Sequence, residues 1–189
     1  MNKSELEQDY MLNVRSVVWL AEDINEDTLT RITTQIIYLR KFDREPIRLY
    51  VRSDGGDSRC GLALANMIQL AGNVHGIMIG DTASSAATVW AACSKRFVFK
   101  NVRMGIHPVQ WQESHAKYDG AKLSKMANEF NSVDERQCEV YAAASNKDLA
   151  WWWDRYTQVG DAKWLDAAEL VRIGMAEYIC SDNPPSEGQ

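Results

Sequence analysis

No stretch of this 189-residue sequence approaches the roughly 20 consecutive apolar residues that a membrane-spanning helix needs. No run of Lys and Arg marks a nucleic-acid face, and the net charge of −5 is spread over both signs along the chain. Cys60, Cys93, Cys138 and Cys180 are far apart and form no CxxC pair, so neither a structural zinc site nor a disulfide framework is expected. Free thiols buried in a reducing cytoplasm are the simpler reading, and the expected location is cytoplasmic. Proline is scarce at four residues, and two of them, Pro184 and Pro185, fall in a polar tail expected to fray. The polar, acidic opening from Met1 to Asp9 is read as neither a secretory signal nor a transit peptide. Repeats, low-complexity blocks and an internal linker are also missing. These absences leave one compact domain with no structural zinc site, nucleic-acid face or membrane span expected.

What remains is an alternation of strand and helix patterns. SVVWL at Ser16–Leu20, Ile47–Val51, Val74–Ile79, Arg96–Phe99, Arg103–Ile106 and Ala176–Ile179 read as strands. Between them, Leu29, Ile32, Ile36 and Leu39 form a helical stripe within Thr28–Lys41, behind an Asn25 cap. Further helices are predicted at Leu62–Leu70, Ser85–Ala92, Asp148–Tyr156 and Asp166–Ile173, the last closed by Gly174. A polar segment, Gln110–Gly120, leads into a helix of about 25 residues. Its apolar positions are Leu123, Met126, Phe130, Val133 and Val140. This order argues for an α/β domain with crossover connections. Trp151, Trp152 and Trp153 cannot all point to one side of a helix, so packing with an incidentally exposed ring is expected there.

Three short segments carry chemistry. In VHGIMIGDTASSAATVWAA an apolar strand ends at Gly80 and a helix of small residues begins after Ser84. A serine at such a turn lies beside the free N–H groups of a helix start, which suit a developing oxyanion. The plainer alternative is that Ser84 and Ser85 cap the helix, as serines commonly do. His107 ends the apolar strand of VRMGIHPVQ and faces a sheet edge, where a structural histidine is the competing reading; His75 and His115 are less well placed. Ser53-Asp54-Gly55-Gly56 follows the strand IRLYV, and its adjacent glycines permit either a simple turn or a close backbone approach to a substrate carbonyl.

Taken in order, these three segments resemble the Clp protease proteolytic subunit family. That family carries Ser-Pro-Gly-Gly after a strand, Gly-x-Ala-Ala-Ser before a helix, and an apolar strand ending in His-Gln-Pro. Here the segments read Ser53-Asp54-Gly55-Gly56, Gly80-Asp81-Thr82-Ala83-Ser84 and Ile106-His107-Pro108. LYVRSDGG resembles the family's LYINSPGG, and the likeness runs from about Val17 to Ile179. It implies a crotonase-like α/β fold of repeated strand-strand-helix units with a protruding handle at about 110–146. An N-terminal segment at about 1–12 and a flexible tail at about 182–189 would flank it. It also implies a self-compartmentalised serine endopeptidase that cleaves unfolded polypeptide inside two stacked heptameric rings, fed by an AAA+ unfoldase.

By the same resemblance Ser84 is the nucleophile, His107 the general base, and the backbone N–H groups of Gly56 and Ser85 the oxyanion donors beside Gly55. The family's third member is an Asp two residues before an aromatic. Here that aromatic is Trp164 and the position holds Ala162; Asp161, one residue earlier, is the expected acid. Asp166 is expected to cap the helix that follows. Ala162 also motivates a second expectation, a catalytically impaired subunit within a mixed ring. Fold-level analogy with acyl-CoA enzymes of the crotonase type is a third, and the Ser84–His107 pairing opposes it. Asp54 in place of the family's Pro, and Pro108 directly after His107, are further departures.

Overall fold

The computed structural model describes residues 16–42, 45–110, 118–157 and 162–180. Eight strands and six helices are present among them. β1 (Val17–Leu20), β2 (Ile47–Val51), β3 (Val74–Met78), β5 (Lys95–Phe99) and β8 (Tyr178–Cys180) form one sheet in the order β1-β2-β3-β5-β8, parallel throughout. A smaller sheet has the order β4-β6-β7, with β4 (Thr82–Ala83), β6 (Arg103–Ile106) and β7 (Lys163–Asp166); β4 runs parallel and β7 antiparallel to β6. β3 and β5 lie in the larger sheet and their successors β4 and β6 in the smaller one. Each pair then leads to a helix, α3 (Ser85–Ala91) or α4 (Gly120–Ala143). This is the strand-strand-helix repeat that the family resemblance implied.

Local signals account for the elements. α1 (Glu26–Phe42) starts where Asn25 Oδ1 accepts the Thr28 N–H at 3.0 Å, with Glu26 and Asp27 at its positive end and Arg40 and Lys41 at the other. Asp57 caps α2 (Ser58–Ala71) by accepting the Cys60 N–H at 2.8 Å. Asp148 accepts the Trp151 N–H at the start of α5 (Leu149–Thr157), and Asp166 accepts the Glu169 N–H at the start of α6 (Ala167–Arg172). Two strands were not foreseen. β4 is too short for any periodicity, and β7 (KWLD) shows only one buried side chain, Leu165.

The larger sheet buries Val18, Leu20, Leu49, Val51, Val74 and Met78 against Ile32 and Ile36 of α1, Leu64 and Ile68 of α2, and Val89 and Trp90 of α3. Burying each such side chain contributes about 1.5–3 kcal/mol, which makes this layer the main source of stability. On the outer face Trp19 stacks on Tyr50 at 4.8 Å, and Ile77 and Phe97 form a small separate cluster.

α4 divides into two halves. Its first turns are exposed, with Leu123 at 53%, while Val133, Asp134, Gln137, Cys138 and Tyr141 are buried. A 24-residue helix is about 36 Å long, so only its second half belongs to the core and the first projects from it. Residues 111–117 of the expected handle, Asp161, the N-terminal segment and the tail from 181 lie outside the described residues. In α5 Trp152 is fully buried against Tyr141 and donates from Nε1 to Ser145 Oγ at 2.9 Å. Trp151 is half-buried and carries the Arg155 guanidinium over its ring at 4.1 Å. Cys60, Cys93 and Cys138 are free and buried, as the composition suggested. No described helix is long and apolar enough to cross a membrane.

Candidate active site

Ser84 stands between β4 and α3 with φ 55° and ψ −131°. Only two non-glycine residues among those described have positive φ, and this combination costs about 1–3 kcal/mol, so the surroundings must enforce it. Ser84 occupies the cap position of α3, yet its side chain makes no capping hydrogen bond. The capping alternative therefore does not describe Ser84. Its hydroxyl has no hydrogen-bond partner among the described residues while the backbone turns sharply from strand to helix, the arrangement of a nucleophile elbow.

Neighbouring segments hold the turn in place. The Ser84 N–H donates to Gly105 O at 2.8 Å, continuing the β4–β6 pairing. The Ala83 N–H donates to Ser53 O at 2.9 Å, which locks the turn to the SDGG segment. Ser53 is buried. Its Oγ donates to Glu22 O at 2.7 Å and accepts the Gly55 N–H at 3.1 Å, so this side chain shapes the glycine pair.

Both glycines are sterically required. Gly55 has φ +103°, and a Cβ there would meet Ser84 Cβ at 2.7 Å and Ala83 O at 2.8 Å. Gly56 has φ +139°, and its Cβ would lie 2.3 Å from Ile24 O. Ile24 bonds to the flanking groups of Gly56, through Ile24 N–H to Gly55 O at 2.7 Å and Asp57 N–H to Ile24 O at 2.8 Å. The Gly56 N–H therefore points away from Ile24. Neither it nor the Ser85 N–H, the first of α3, has an acceptor among the described residues. The Ser85 side chain is buried against Gly61, and its Oγ has no partner there either.

β6 delivers His107. Ala83 pairs with Gly105 in a parallel ladder, so Ser84 and His107 leave the C-terminal ends of adjacent strands. His107 is half-buried, and its Nδ1 lies 2.8 Å from Pro108 O. A carbonyl oxygen only accepts, so Nδ1 carries the proton in this contact, and in the neutral ring the lone pair is then on Nε2. No hydrogen bond joins the imidazole to Ser84; such bonds are often open without substrate.

β7 runs antiparallel to β6 with Ile106 opposite Lys163, so one further step of the register sets Ala162 across from His107. The side chain there brings no carboxylate. Asp161 is outside the described residues, and Asp166 is committed to capping α6, as expected.

A carboxylate that sequence reading missed does lie nearby. Asp134 of α4 is 4% exposed, and its Oδ1 accepts the Val109 N–H at 2.8 Å. Burial raises its carboxyl above the ordinary value, opposed by the Val109 N–H, the Tyr156 hydroxyl and the charge of nearby His107. Around it runs a buried polar chain. Gln137 Nε2 donates to the Tyr156 hydroxyl at 3.0 Å, and Thr88 Oγ1 donates to Gln137 Oε1 at 2.9 Å. Thr88 Oγ1 also lies 2.9 Å from the Tyr141 hydroxyl, which reaches Ser84 O at 3.5 Å. The described residues contain no cluster of His, Cys, Asp and Glu suited to a metal.

Comparison with known proteins gives this geometry its context. A family model described as Clp protease matches residues 2–183. The ATP-dependent Clp protease proteolytic subunit of Carsonella ruddii is 31% identical over 137 residues, covering 70% of this chain and 69% of that protein. The ATP-dependent Clp protease proteolytic subunit 2 of Treponema denticola is 27% identical over 179 residues, covering 90% and 84%. A solved point mutant of ClpP1 from Listeria monocytogenes superposes with a TM-score of 0.78 at 22% identity, covering 94% of this chain and 96% of that one. The mixed α/β fold is shared with that structure. With a family model spanning nearly the whole sequence, the chain belongs to the Clp protease family.

Proposed function

We propose that the chain is a serine endopeptidase subunit in which Ser84 is the nucleophile and His107 its general base. The observation that carries this reading is the strained, uncapped Ser84 at a strand-to-helix turn. A serine that merely capped α3 would have no reason to hold φ 55° while making no capping bond.

In this reading Ser84 Oγ attacks a peptide carbonyl and its proton passes to His107 Nε2. The carbonyl oxygen, now negative, accepts from the Gly56 and Ser85 N–H groups; removing one such donor typically costs about 10²–10³ in rate. His107 then protonates the departing amine. Water, deprotonated by the same nitrogen, attacks the acyl-enzyme and regenerates Ser84.

The substrate is unfolded polypeptide, bound as an added strand along β6 and the segment after His107. Relatives named as proteolytic subunits of ATP-dependent Clp proteases support a place in a larger, ATP-dependent protease; the assembly proposed is two stacked rings of seven subunits fed by an AAA+ unfoldase. The projecting half of α4, with Leu123 exposed, suits a contact between rings. The peptidase itself uses no cofactor.

Ala162 opposite His107 favours a second reading, a subunit of the same fold that contributes shape to a mixed ring and little chemistry. Hydrolysis of a fluorogenic peptide and of an unfolded protein by the assembled chain separates the two. The first reading expects cleavage that Ser84→Ala abolishes. Cleavage by neither protein would support the second.

A further inference from the structure

We propose that Asp134 is the positioning residue behind His107, acting through the Pro108–Val109 peptide group instead of touching the imidazole. The inference rests on the Ser84–His107 reading above and adds to it a charge that orients the base.

One peptide unit makes both contacts. Its carbonyl, Pro108 O, accepts from His107 Nδ1 at 2.8 Å. Its amide, Val109 N–H, donates to Asp134 Oδ1 at 2.8 Å. A carboxylate pulling on the N–H pushes electron density through the amide resonance onto the carbonyl oxygen. The carbonyl then becomes a better acceptor for the imidazole proton, cooperative strengthening being about 10–30% per bond. The consequence is the tautomer that leaves Nε2 free toward Ser84, and an imidazolium stabilised at one remove when it forms.

Two departures from the family pattern meet here. The position that the family fills with its acid holds Ala162, one register step beyond the Ile106–Lys163 pair, and brings no carboxylate. The residue after His107 is Pro108, whose fixed φ holds the carbonyl and whose missing N–H offers no competing donor. On the far side, Asp134 is fixed by α4 and by the adjacent Tyr156 hydroxyl, which accepts from Gln137 Nε2, while Gln137 Oε1 accepts from Thr88. Asp134, Gln137 and Tyr141 are spaced i, i+3, i+7 and share one buried face. Tyr141 reaches Ser84 O, so one helix face steadies both the nucleophile turn and the base.

A purely structural Asp134 would need only an oxygen for the Val109 N–H, which Asn also supplies. Asp134→Asn therefore isolates the charge. Saturation kinetics of fluorophosphonate labelling on the full, assembled chain give a maximal acylation rate and an apparent affinity. Asp134→Asn is expected to lower the rate tenfold or more and leave affinity within twofold. An Asp134→Asn protein acylated at the wild-type rate overturns the relay. A wild type that never labels would instead overturn the Ser84 reading itself. Nitrogen NMR of ¹⁵N-histidine in the wild type, with His107→Asn for assignment, needs no Asp134 variant. It is expected to show the neutral ring protonated on Nδ1, and protonation on Nε2 would contradict the relay.

Discussion

A β-carbon on Gly55 would sit 2.7 Å from the β-carbon of Ser84, far inside van der Waals contact. The two residues are 29 positions apart, and the backbone of one is the wall behind the other. Gly55→Ala also places a side chain at φ +103°. The expected cost is about 2–4 kcal/mol from backbone strain and overpacking together. Labelling of Ser84 should fall at least tenfold even where the variant stays folded. Thermal melts beside labelling rates check both, and a Gly55→Ala protein with wild-type labelling would show that the wall is not needed.

Ser85 offers the opposite case. Its backbone N–H is the candidate oxyanion donor, whereas its buried hydroxyl lacks a partner among the described residues. An orphan hydroxyl costs about 1–3 kcal/mol, so Ser85→Ala should leave stability unchanged or raise it by about 1 kcal/mol. Peptidase activity should stay within twofold, because the donor belongs to the main chain. Denaturant titration and steady-state kinetics test the pair of outcomes.

Asp134 should be a stability cost. Burial raises its carboxyl, so the native state keeps the proton to higher pH than the unfolded chain. Stability from this group is fully present below the unfolded value of about 4 and is lost as pH rises through the raised native value. His107 from the end of β6, Tyr156 from α5, and Cys138 and Tyr141 from α4 itself are the titratable groups around it. Asp134→Asn is therefore expected to melt above wild type at neutral pH, with the difference closing below about pH 4. Lower stability of Asp134→Asn at neutral pH would mean the charge is structural.

Ala162 predicts a rescue. Directly opposed residues of antiparallel strands have Cβ atoms about 4.5–5.5 Å apart, and the register places residue 162 across from His107. Ala162→Asp should restore at least fivefold of the acylation rate lost in Asp134→Asn, by supplying a carboxylate directly to the imidazole. Absence of any recovery in a correctly assembled double variant would place the defect of Asp134→Asn elsewhere.

Much of this layout was legible in the sequence, because it depends on local chemistry. Ile47–Val51 and Arg103–Ile106 are bounded as read, and the caps at Asn25 and Asp166 make the expected bonds. The strand-to-helix turn at Ser84 and the strand end at His107 were likewise visible from apolar runs and their breaks. What escaped was set by tertiary pairing. β4 and β7 exist because β6 runs between them. Asp134 lies 27 residues beyond His107, within a helix read for its apolar stripe. Leu123 of that stripe is exposed, while Asp134, Gln137 and Tyr141 occupy the buried face. The available signal was a row of polar side chains at i, i+3 and i+7 in register with the core side of a helix. The strain at Ser84 had no sequence signature, since it comes from Gly55 and Gly105 on either side.

The central claim is that Ser84 is an activated nucleophile. Intact-mass analysis of the assembled protein after fluorophosphonate treatment, with the adduct mapped by peptide fragmentation, tests it most directly. The account predicts one adduct per chain, on Ser84, absent from Ser84→Ala and strongly slowed in His107→Ala. No adduct on a correctly assembled wild type, or an adduct on another serine that persists in Ser84→Ala, would contradict it.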